Sequence, residues 1–332
     1  MQAIEYTKYG SPDVLELNEV EKPTPKDNEV LIKIYAASVN PLDWHYLRGA
    51  PLMIRIGAGL RKPKDTRLGV DLAGQVEAVG SSVTQFKTGD EVFGARTGAF
   101  AEYVCKVEKT LALKPTNLTF QQAAAVPVAA CTALQGLRDK GQIQPGQKVL
   151  INGAAGGVGT FAVQIAKAFG AEVTGVCSTR NVDLVKSLGA DRVIDYTRED
   201  FTQTSQRYDL LLDNAGNRSL SDLRRVLTPT GTLVFNGGGP LAASQGRLLG
   251  PMAHSIRATM LSRFVGQKMA TFLASVTKED LLVLKELIEA GKITPAIDRT
   301  YPLSETAEAI RYLEDGHARA KVIISIVPDG KA

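Results

Sequence analysis

The sequence predicts an α/β protein with two domains, of which one is β-rich and the other is a doubly wound parallel sheet. The chain has 332 residues, whereas single hydrophobic cores stop growing near ~250 residues. Short apolar segments separated by Pro and Gly occupy the first third, which is typical of a compact β-rich domain. From about residue 120, helical and strand patterns alternate, as they do in a parallel sheet. We therefore expect the second domain to begin near residue 120.

The first domain is expected to consist mainly of strands, because β-branched and apolar residues recur between turn residues there. These segments are Val30–Ala37, Asp71–Val79, Glu91–Phe93, Phe100–Val104 and Thr110–Leu113. Helical periods follow at Gln121–Val126 and Ala129–Leu137. The next apolar strand, 148–151, opens the predicted parallel sheet.

A glycine-rich turn follows this strand and leads into a helix that begins at Thr160 and stops at Gly170. Glycines allow a tight turn and close approach of the backbone to a pyrophosphate, and the N-terminus of a helix attracts anions. The dinucleotide fingerprint G-x-G-x-x-G is present at residues 154–159, with Ala154 in place of the first glycine. The turn therefore predicts a dinucleotide site, and a packing turn without a ligand is the alternative.

The residues after the second strand, 172–176, indicate which dinucleotide binds. An NAD site carries Asp or Glu there for the ribose hydroxyls, but this chain has Ser178, Thr179 and Arg180. Hydroxyls can donate to a 2′-phosphate, and a guanidinium binds phosphate with a planar, charged fork. We therefore expect NADPH as the cofactor, although Arg180 is also compatible with a solvated surface residue.

The alternation continues with strands at 192–194, 209–212 and 231–236, and with helices at 181–188 and 219–226. Residues 237–262 are expected to be irregular. Thr277 and Ser304 can each cap a helix, ended by Gly291 and Gly316 respectively, before a final strand at 321–327. This terminal segment is able to return to the first domain, but the pattern alone does not fix its pairing.

Composition excludes several classes of partner. The formal net charge of +4 is spread along the chain without a basic block, so nucleic acid is not expected. No apolar run approaches the ~20 residues of a membrane helix, so membrane insertion is not expected. The chain starts with an apparent strand at Gln2 rather than a signal peptide, and we expect a cytoplasmic protein.

Several motifs together resemble the zinc-independent, quinone oxidoreductase-like branch of the medium-chain dehydrogenase/reductase superfamily, over essentially the whole chain. The resemblance depends on Ser38–Asp43, Gly69–Gly74, Gly89–Gly94, Val126–Ala133, Gly153–Gly159, Leu188–Asp191, Asp195–Tyr196 and Gly316–Val322. It implies a GroES-like catalytic domain formed by residues 1–119 and 295–332, and a Rossmann NADPH-binding domain at 120–294. It also implies a nicotinamide in the cleft between the domains and a homodimer.

The same resemblance excludes the zinc enzymes of the superfamily. Their metal ligands would fall at Asn40, within Gly69–Asp71 and at Val128, where this chain lacks the family's ligands. Only Cys105 occurs where a four-cysteine structural lobe would lie, and zinc sites need about four N or S ligands. Without this Lewis acid, reduction of an electron-poor acceptor is the expected reaction.

The resemblance also assigns residues to the cofactor. It places Thr132 beside the nicotinamide, Ser178 and Arg180 on the 2′-phosphate, and Tyr196 near the adenine. Lys321 would reach the cofactor from the other domain, although Ala320 replaces the glycine that the family commonly has before it. The pyrophosphate would lie on Ala154, Ala155, Gly156, Gly157 and Val158.

Asn214 and Asn236 follow two strands of the predicted parallel sheet. Ligands of such sheets bind outside the carboxyl ends of the strands, so both residues are candidates for cofactor contact. Asn also tolerates turn conformations, so both are equally compatible with turn residues.

Catalytic candidates come from the first domain. Hydride addition to a conjugated carbonyl leaves an enolate oxygen that requires a hydrogen-bond donor. The Asn40 amide and the Tyr46 phenol are the candidate donors, and Asp43 is expected to position their loop. Tyr46 is the favoured proton donor, with an ordinary core or surface aromatic as its alternative.

The sequence therefore predicts a zinc-free NADPH-dependent reductase of quinones or of α,β-unsaturated aldehydes and ketones, that is, an alkenal reductase. The enone reaction is slightly favoured. The alternative is a catalytically weak NADPH-binding protein with a sensing or interaction role.

Overall fold

A computed structural model of the chain describes residues 1–95, 97–236, 265–316 and 318–327. The chain divides into two compact units. Unit 1 comprises Met1–Val128, Val276–Ala290 and Pro295–Ala332, and unit 2 comprises Ala129–Ser275 and Gly291–Thr294. Within the described residues, no helix is both long and apolar enough to cross a membrane.

The strands, in chain order, are β1 Gln2–Glu5, β2 Glu16–Glu19, β3 Glu29–Val39, β4 Asp71–Val79, β5 Glu91–Ala95, β6 Tyr103–Val107, β7 Leu111–Leu113, β8 Lys148–Asn152, β9 Glu172–Cys177, β10 Arg192–Asp195, β11 Tyr208–Asp213, β12 Leu227–Phe235, β13 Lys268–Thr271, β14 Ile297–Pro302 and β15 Lys321–Ser325. The α-helices are α1 Pro41–Arg48, α2 Ile54–Ala58, α3 Phe120–Ala124, α4 Pro127–Leu134, α5 Gly157–Ala168, α6 Val182–Ser187, α7 Leu220–Arg225, α8 Lys278–Glu289 and α9 Thr306–Glu314. A π-helical segment, Gln135–Lys140, continues α4.

Unit 1 is built on a mixed sheet of order β14-β15-β3-β4-β5-β7, with β6 also paired to β3. The long strand β3 is central because three other strands pair with it. Its first half pairs with β6 and its second half with β15, while β4 runs along its other edge. The C-terminal strand therefore closes the N-terminal sheet, a pairing that the sequence pattern left open.

Helix α8 belongs to unit 1, although the predicted dinucleotide domain, 120–294, includes it. Polar contacts explain the assignment. Asn117 donates to the carbonyl of Ile288 at 2.9 Å, and the backbone N–H of Thr116 donates to the Glu289 carboxylate at 3.0 Å. These contacts join the end of α8 to the loop before α3.

Unit 2 contains a parallel sheet of order β10-β9-β8-β11-β12-β13. Counted from β8, this is the strand order 3-2-1-4-5-6 of the Rossmann fold. The chain reverses its direction of winding between β8 and β11, which is the switch point where dinucleotides bind. A cluster of buried apolar residues under β8, β9, β11 and β12 forms the core on one face.

One strand of unit 1 differs in position from its prediction. The pattern placed a strand at Phe100–Val104, whereas β6 begins at Tyr103. Phe100 is buried and belongs to an irregular connection, since its N–H donates to Leu68 and its carbonyl accepts from Ile4. The apolar residues at the start of this segment have the sequence pattern of a strand, but Phe100 does not take part in the regular hydrogen bonding of the sheet. The predicted irregular segment 237–262 lies outside the described residues.

Ala320 has a backbone conformation that favours glycine. Its φ of +63° lies in the left-handed region, immediately before β15. A Cβ there costs roughly 1–2 kcal/mol. The chain accepts this strain next to a buried strand that pairs on both sides.

Replacing Ala320 by glycine should therefore stabilise the protein. We expect Ala320→Gly to raise the free energy of unfolding by about 0.5–1 kcal/mol, because relief of the strain exceeds the entropy that glycine adds to the unfolded chain. Urea denaturation measures the change. Ala307→Gly, within α9, is the matched control and should lower the free energy by about 0.5–1 kcal/mol. If both variants lost the same free energy of unfolding, backbone strain at Ala320 would be rejected.

Candidate functional site

The glycine-rich turn in unit 2 has the geometry of an anion cradle. Gly153 ends β8 with a φ of +77°, and Gly156 caps helix α5 in an extended conformation. Among the described residues, and apart from its chain neighbours, a Cβ on Gly156 would meet the Gly153 carbonyl oxygen at 3.5 Å and no other atom within 4 Å. Gly153, Gly156, Gly157 and Val158 are half-buried, whereas Ala154 and Ala155 are buried. The space that glycine leaves is thus available to a ligand at a helix N-terminus.

Gly159 has a different role, because it lets the helix pack on the turn. A Cβ at Gly159 would lie 2.1 Å from the Gly153 carbonyl oxygen. Ala154, which replaces the fingerprint's first glycine, is fully buried, and its N–H donates to Val176 at 3.0 Å. Its methyl fits because the facing residue of β9 is Gly175, where a Cβ would lie only 3.0 Å from that methyl. The absence of a side chain at Gly175 thus makes room for the methyl group that Ala154 has in place of the usual glycine.

The residues expected at the 2′-phosphate follow β9, as predicted, but only some of them can donate. The Ser178 hydroxyl accepts from Asn181 at 3.2 Å, and its own proton has no acceptor among the described residues. The Thr179 hydroxyl is instead directed at the Asp195 carboxylate, 2.6 Å away, so it lacks a free proton. Arg180 is exposed, and so is the Tyr196 ring. Ser178 and Arg180 are therefore the stronger phosphate candidates.

The carboxyl ends of β8, β11 and β12 carry a network of amides. Asn236 donates to Asn214, and the Nδ2 of Asn214 is buried without an acceptor among the described residues. The Nδ2 of Asn152 donates to Asp213 at 2.8 Å, and the same carboxylate oxygen accepts from Gly216 N–H at 3.1 Å. Asn152 and Asp213 were not among the residues predicted from the sequence, although both are polar residues that end apolar strands.

Thr132 lies elsewhere in unit 2. It is in helix α4, and its side chain is mostly buried.

Unit 1 brings together a buried polar cluster of Ser38, Asn40, Asp71 and Lys321. Strand pairing places them there, because Ser38 lies opposite Asp71 on β4, and β15 begins beside the end of β3. Ser38 donates to Asp71 at 2.8 Å and Asn40 donates to the same oxygen at 3.0 Å. Ser38 and Asp71 lay within motifs of the sequence, but only the strand register shows that they meet Asn40.

The ammonium of Lys321 is enclosed within this cluster. It lies 2.7 Å from Asn40 Oδ1, 3.4 Å from Asp71 Oδ2 and 3.5 Å from the carbonyl of Val39. An ammonium has three protons, and these three acceptors account for them. The contact of Lys321 with the cofactor stays a prediction, and within the protein its charge is directed at Asn40 and Asp71. Burial lowers the pKa of this ammonium from its ordinary value, and the carboxylates of Asp71 and Asp43 oppose the shift.

Asp43 anchors the start of helix α1. Its two oxygens accept from the backbone N–H of Asn40 at 2.7 Å and of Gly69 at 3.1 Å. Burial raises the pKa of this carboxyl to about 7, although both hydrogen bonds favour the charged form. The predicted role of Asp43 in positioning the loop agrees with these contacts.

The two candidate donors differ in availability. Both protons of the Asn40 amide are directed at protein atoms, Asp71 Oδ2 at 3.0 Å and the Ser38 carbonyl at 3.3 Å. Asn40 is buried, so its amide is not free to donate to a substrate. Tyr46 lies one turn along α1 from Leu42, and its side chain is 36% exposed. The phenol is therefore the accessible donor of the pair.

The positions that carry zinc ligands in the zinc enzymes meet at Asp71. One of its oxygens accepts from the Val128 N–H at 2.9 Å, and the other accepts from Asn40. Over the described parts of the chain, no three His, Cys, Asp or Glu side chains form a group suited to a metal ion.

Comparison with known families and proteins gives consistent results. The family described as "Alcohol dehydrogenase GroES-like domain" matches residues 26–135, and "Zinc-binding dehydrogenase" matches residues 188–324. The chain is 36% identical to a 2-methylene-furan-3-one reductase of Solanum lycopersicum, over 99% of this chain and 80% of the relative. It is 34% identical, with the same coverage, to a chloroplastic NADPH-dependent alkenal/one oxidoreductase of Arabidopsis thaliana. A solved quinone oxidoreductase from Coxiella burnetii superposes with a TM-score of 0.85 at 32% identity, over 98% of this chain and 99% of that one.

Two glycine variants of the turn should distinguish a glycine that leaves room for a ligand from a glycine that is required for packing of the protein itself. We expect Gly156→Ala to lower the free energy of unfolding by no more than about 1 kcal/mol, because its φ of −79° suits alanine, although alanine is a poorer N-cap than glycine. The added methyl should raise the Kd for NADPH about 10-fold or more by filling the cradle. Fluorescence titration and urea denaturation measure the two quantities.

Gly159→Ala is the matched comparison and should lose both stability and binding, because its methyl would collide with the turn itself. If Gly156→Ala bound NADPH as tightly as the unchanged protein, the cradle would not hold the pyrophosphate.

Proposed function

The chain belongs to the medium-chain dehydrogenase/reductase family, in its quinone oxidoreductase-like branch, and from this premise we propose that it reduces quinones or α,β-unsaturated carbonyls with NADPH and without zinc. The chain is thus an oxidoreductase of a family that uses nicotinamide cofactors. The enone reaction is the favoured version, because two of the relatives described above are named as reductases of such compounds.

The observation that carries the proposal is the polar cluster around Asp71. At the three ligand positions of the zinc enzymes, this chain has the Asn40 carboxamide, Gly69–Asp71 in place of Gly-His-Glu, and Val128. The Asp71 carboxylate is bonded to Ser38, Asn40 and Lys321. Carboxamide and aliphatic side chains are poor zinc ligands. The site then lacks a Lewis acid for an alkoxide, and the acceptor must be activated by its own conjugation.

NADPH supplies the hydride when it is bound. The protein's task is to hold the acceptor and to stabilise the negative charge that develops on its oxygen. We assign the donor role to the Tyr46 phenol, because it is accessible whereas the Asn40 amide is committed to protein atoms. Asn40 and Asp43 then act by fixing the start of the helix that carries Tyr46.

For the cofactor, we propose that the backbone from Ala154 to Val158 binds the pyrophosphate and that Ser178 and Arg180 bind the 2′-phosphate. Thr132 beside the nicotinamide, Tyr196 at the adenine, and Asn214 with Asn236 at the sheet edge complete the proposed contacts. The homodimer and the cytoplasmic location also remain predictions, and the Arabidopsis relative is named as chloroplastic.

An acceptor panel tests the proposed function. We expect NADPH to be consumed with enals, enones or quinones and not with simple ketones, under anaerobic conditions and with products identified by mass. Saturated carbonyl products would establish double-bond reduction, and hydroquinones alone would make the protein a quinone reductase. Tight NADPH binding without turnover would favour the sensor alternative.

The Tyr46→Phe variant tests the proton donor. Loss of general acid catalysis should lower kcat by about 10²-fold with little change in the Kd for NADPH. Tyr103→Phe removes a half-buried phenol elsewhere in unit 1 and should leave kcat unchanged. If Tyr46→Phe kept the original kcat, solvent would be the proton source.

The Arg180→Ala variant tests the cofactor preference. Loss of a charged hydrogen bond of about 1.5–3 kcal/mol should raise KM for NADPH roughly 10-fold or more and leave KM for NADH nearly unchanged. Arg207→Ala is the control for charge, since Arg207 lies before β11, at the amino end of the sheet. Equal increases for both cofactors would reject the phosphate contact.

A further inference from the structure

The buried ammonium of Lys321 has no role in the proposed chemistry as described above. Its side chain is 3% exposed, and the carboxylate of Asp71, 3.4 Å away, is fully buried. Buried charged pairs contribute little net stability, because desolvation offsets their attraction. Such a pair therefore calls for an explanation other than stability.

The explanation lies in the orientation of the Asn40 carboxamide. Its oxygen accepts from Lys321 at 2.7 Å, while its nitrogen donates to Asp71 at 3.0 Å. If the amide were turned over, its NH2 would face the ammonium and its oxygen would face the carboxylate. Both contacts would then be repulsive. The pair of opposite charges thus fixes one of the two orientations.

This orientation is transmitted to helix α1 by a short chain of contacts. Asn40 is the residue before the helix, and its backbone N–H donates to Asp43 at 2.7 Å. The other oxygen of Asp43 accepts from Gly69, two residues before Asp71. The loop before α1 is therefore held by Asp71, the first residue of β4, and by Gly69, which precedes that strand. Tyr46 lies three residues after Asp43 on the same short helix.

We propose that Lys321 is a positioning residue that, with Asp71, orients the Asn40 amide and thereby fixes the helix that presents Tyr46, and that it does not bind the cofactor. This proposal rests on the proposed reductase function only for its effect on turnover. The orientation of the amide and the lack of a cofactor contact can be measured without any acceptor.

The first measurement is the Kd for NADPH of the Lys321→Met variant. The proposal expects the Kd for NADPH to remain within 2-fold of the unchanged protein, because the ammonium is fully engaged within unit 1. An increase of 10-fold or more would overturn it in favour of direct cofactor contact. Arg180→Ala, measured in parallel, shows that the titration detects the loss of a cofactor contact.

Lys321→Met alone leaves Asp71 as an unpaired buried charge, which destabilises the folded protein. The double variant Lys321→Met/Asp71→Asn removes both charges and should recover most of the lost urea midpoint. The proposal expects kcat of this double variant to stay at least 10-fold below that of the unchanged protein, with the Kd for NADPH preserved. A double variant with the original kcat would reduce the pair to a merely structural role.

The last readout is independent of turnover. The side-chain NH2 of Asn40, followed by NMR with Asn-selective labelling, should exchange slowly with solvent in the unchanged protein. It should exchange at least 10-fold faster in the double variant, and unchanged protection would overturn the proposal. If the unchanged protein reduced no acceptor, the proposed function would fail while this measurement still decided the role of Lys321.

Discussion

The pairing of the last described strand with the second half of β3 is the constraint on which unit 1 depends. It brings Lys321 beside Asn40, although 281 positions separate them in the sequence. Without this pairing, the Asp71 carboxylate would lie among neutral donors only. Removing one partner of a buried ion pair lowers the free energy of unfolding by about 3–5 kcal/mol. The sheet edge, the buried charge and the loop before α1 therefore form one cooperative structure.

Unit 2 depends on a steric constraint instead. The first turn of α5 approaches the Gly153 carbonyl so closely that residue 159 must lack a Cβ, and the Ala154 methyl is accommodated by the bare backbone of Gly175. Such contacts hold the N–H groups of the turn in position before a ligand arrives. An anion that binds there then loses little energy to reorganisation of the protein.

Sequence reasoning succeeded where local patterns carry the information. The strand, turn and helix around Gly153–Gly159 have strong periodicity and turn chemistry, so both the Rossmann sheet and its cradle were predictable. The hydrogen-bond partners of Lys321 were not predictable, because the partners of a terminal side chain depend on strand register across most of the chain. Phe100 shows the converse case, in which a buried apolar residue resembles a strand although its hydrogen bonds belong to a loop.

The late pairing of β15 also bears on how the chain is made. Residue 39 emerges from the ribosome 282 positions before residue 321. At about 5–20 residues per second, the second half of β3 waits roughly 15–60 s for its partner. During that interval one edge of the nascent sheet is unpaired and open to association with other chains. Residues 129–275 are complete earlier, so unit 2 has the opportunity to fold while the second half of β3 still lacks its partner.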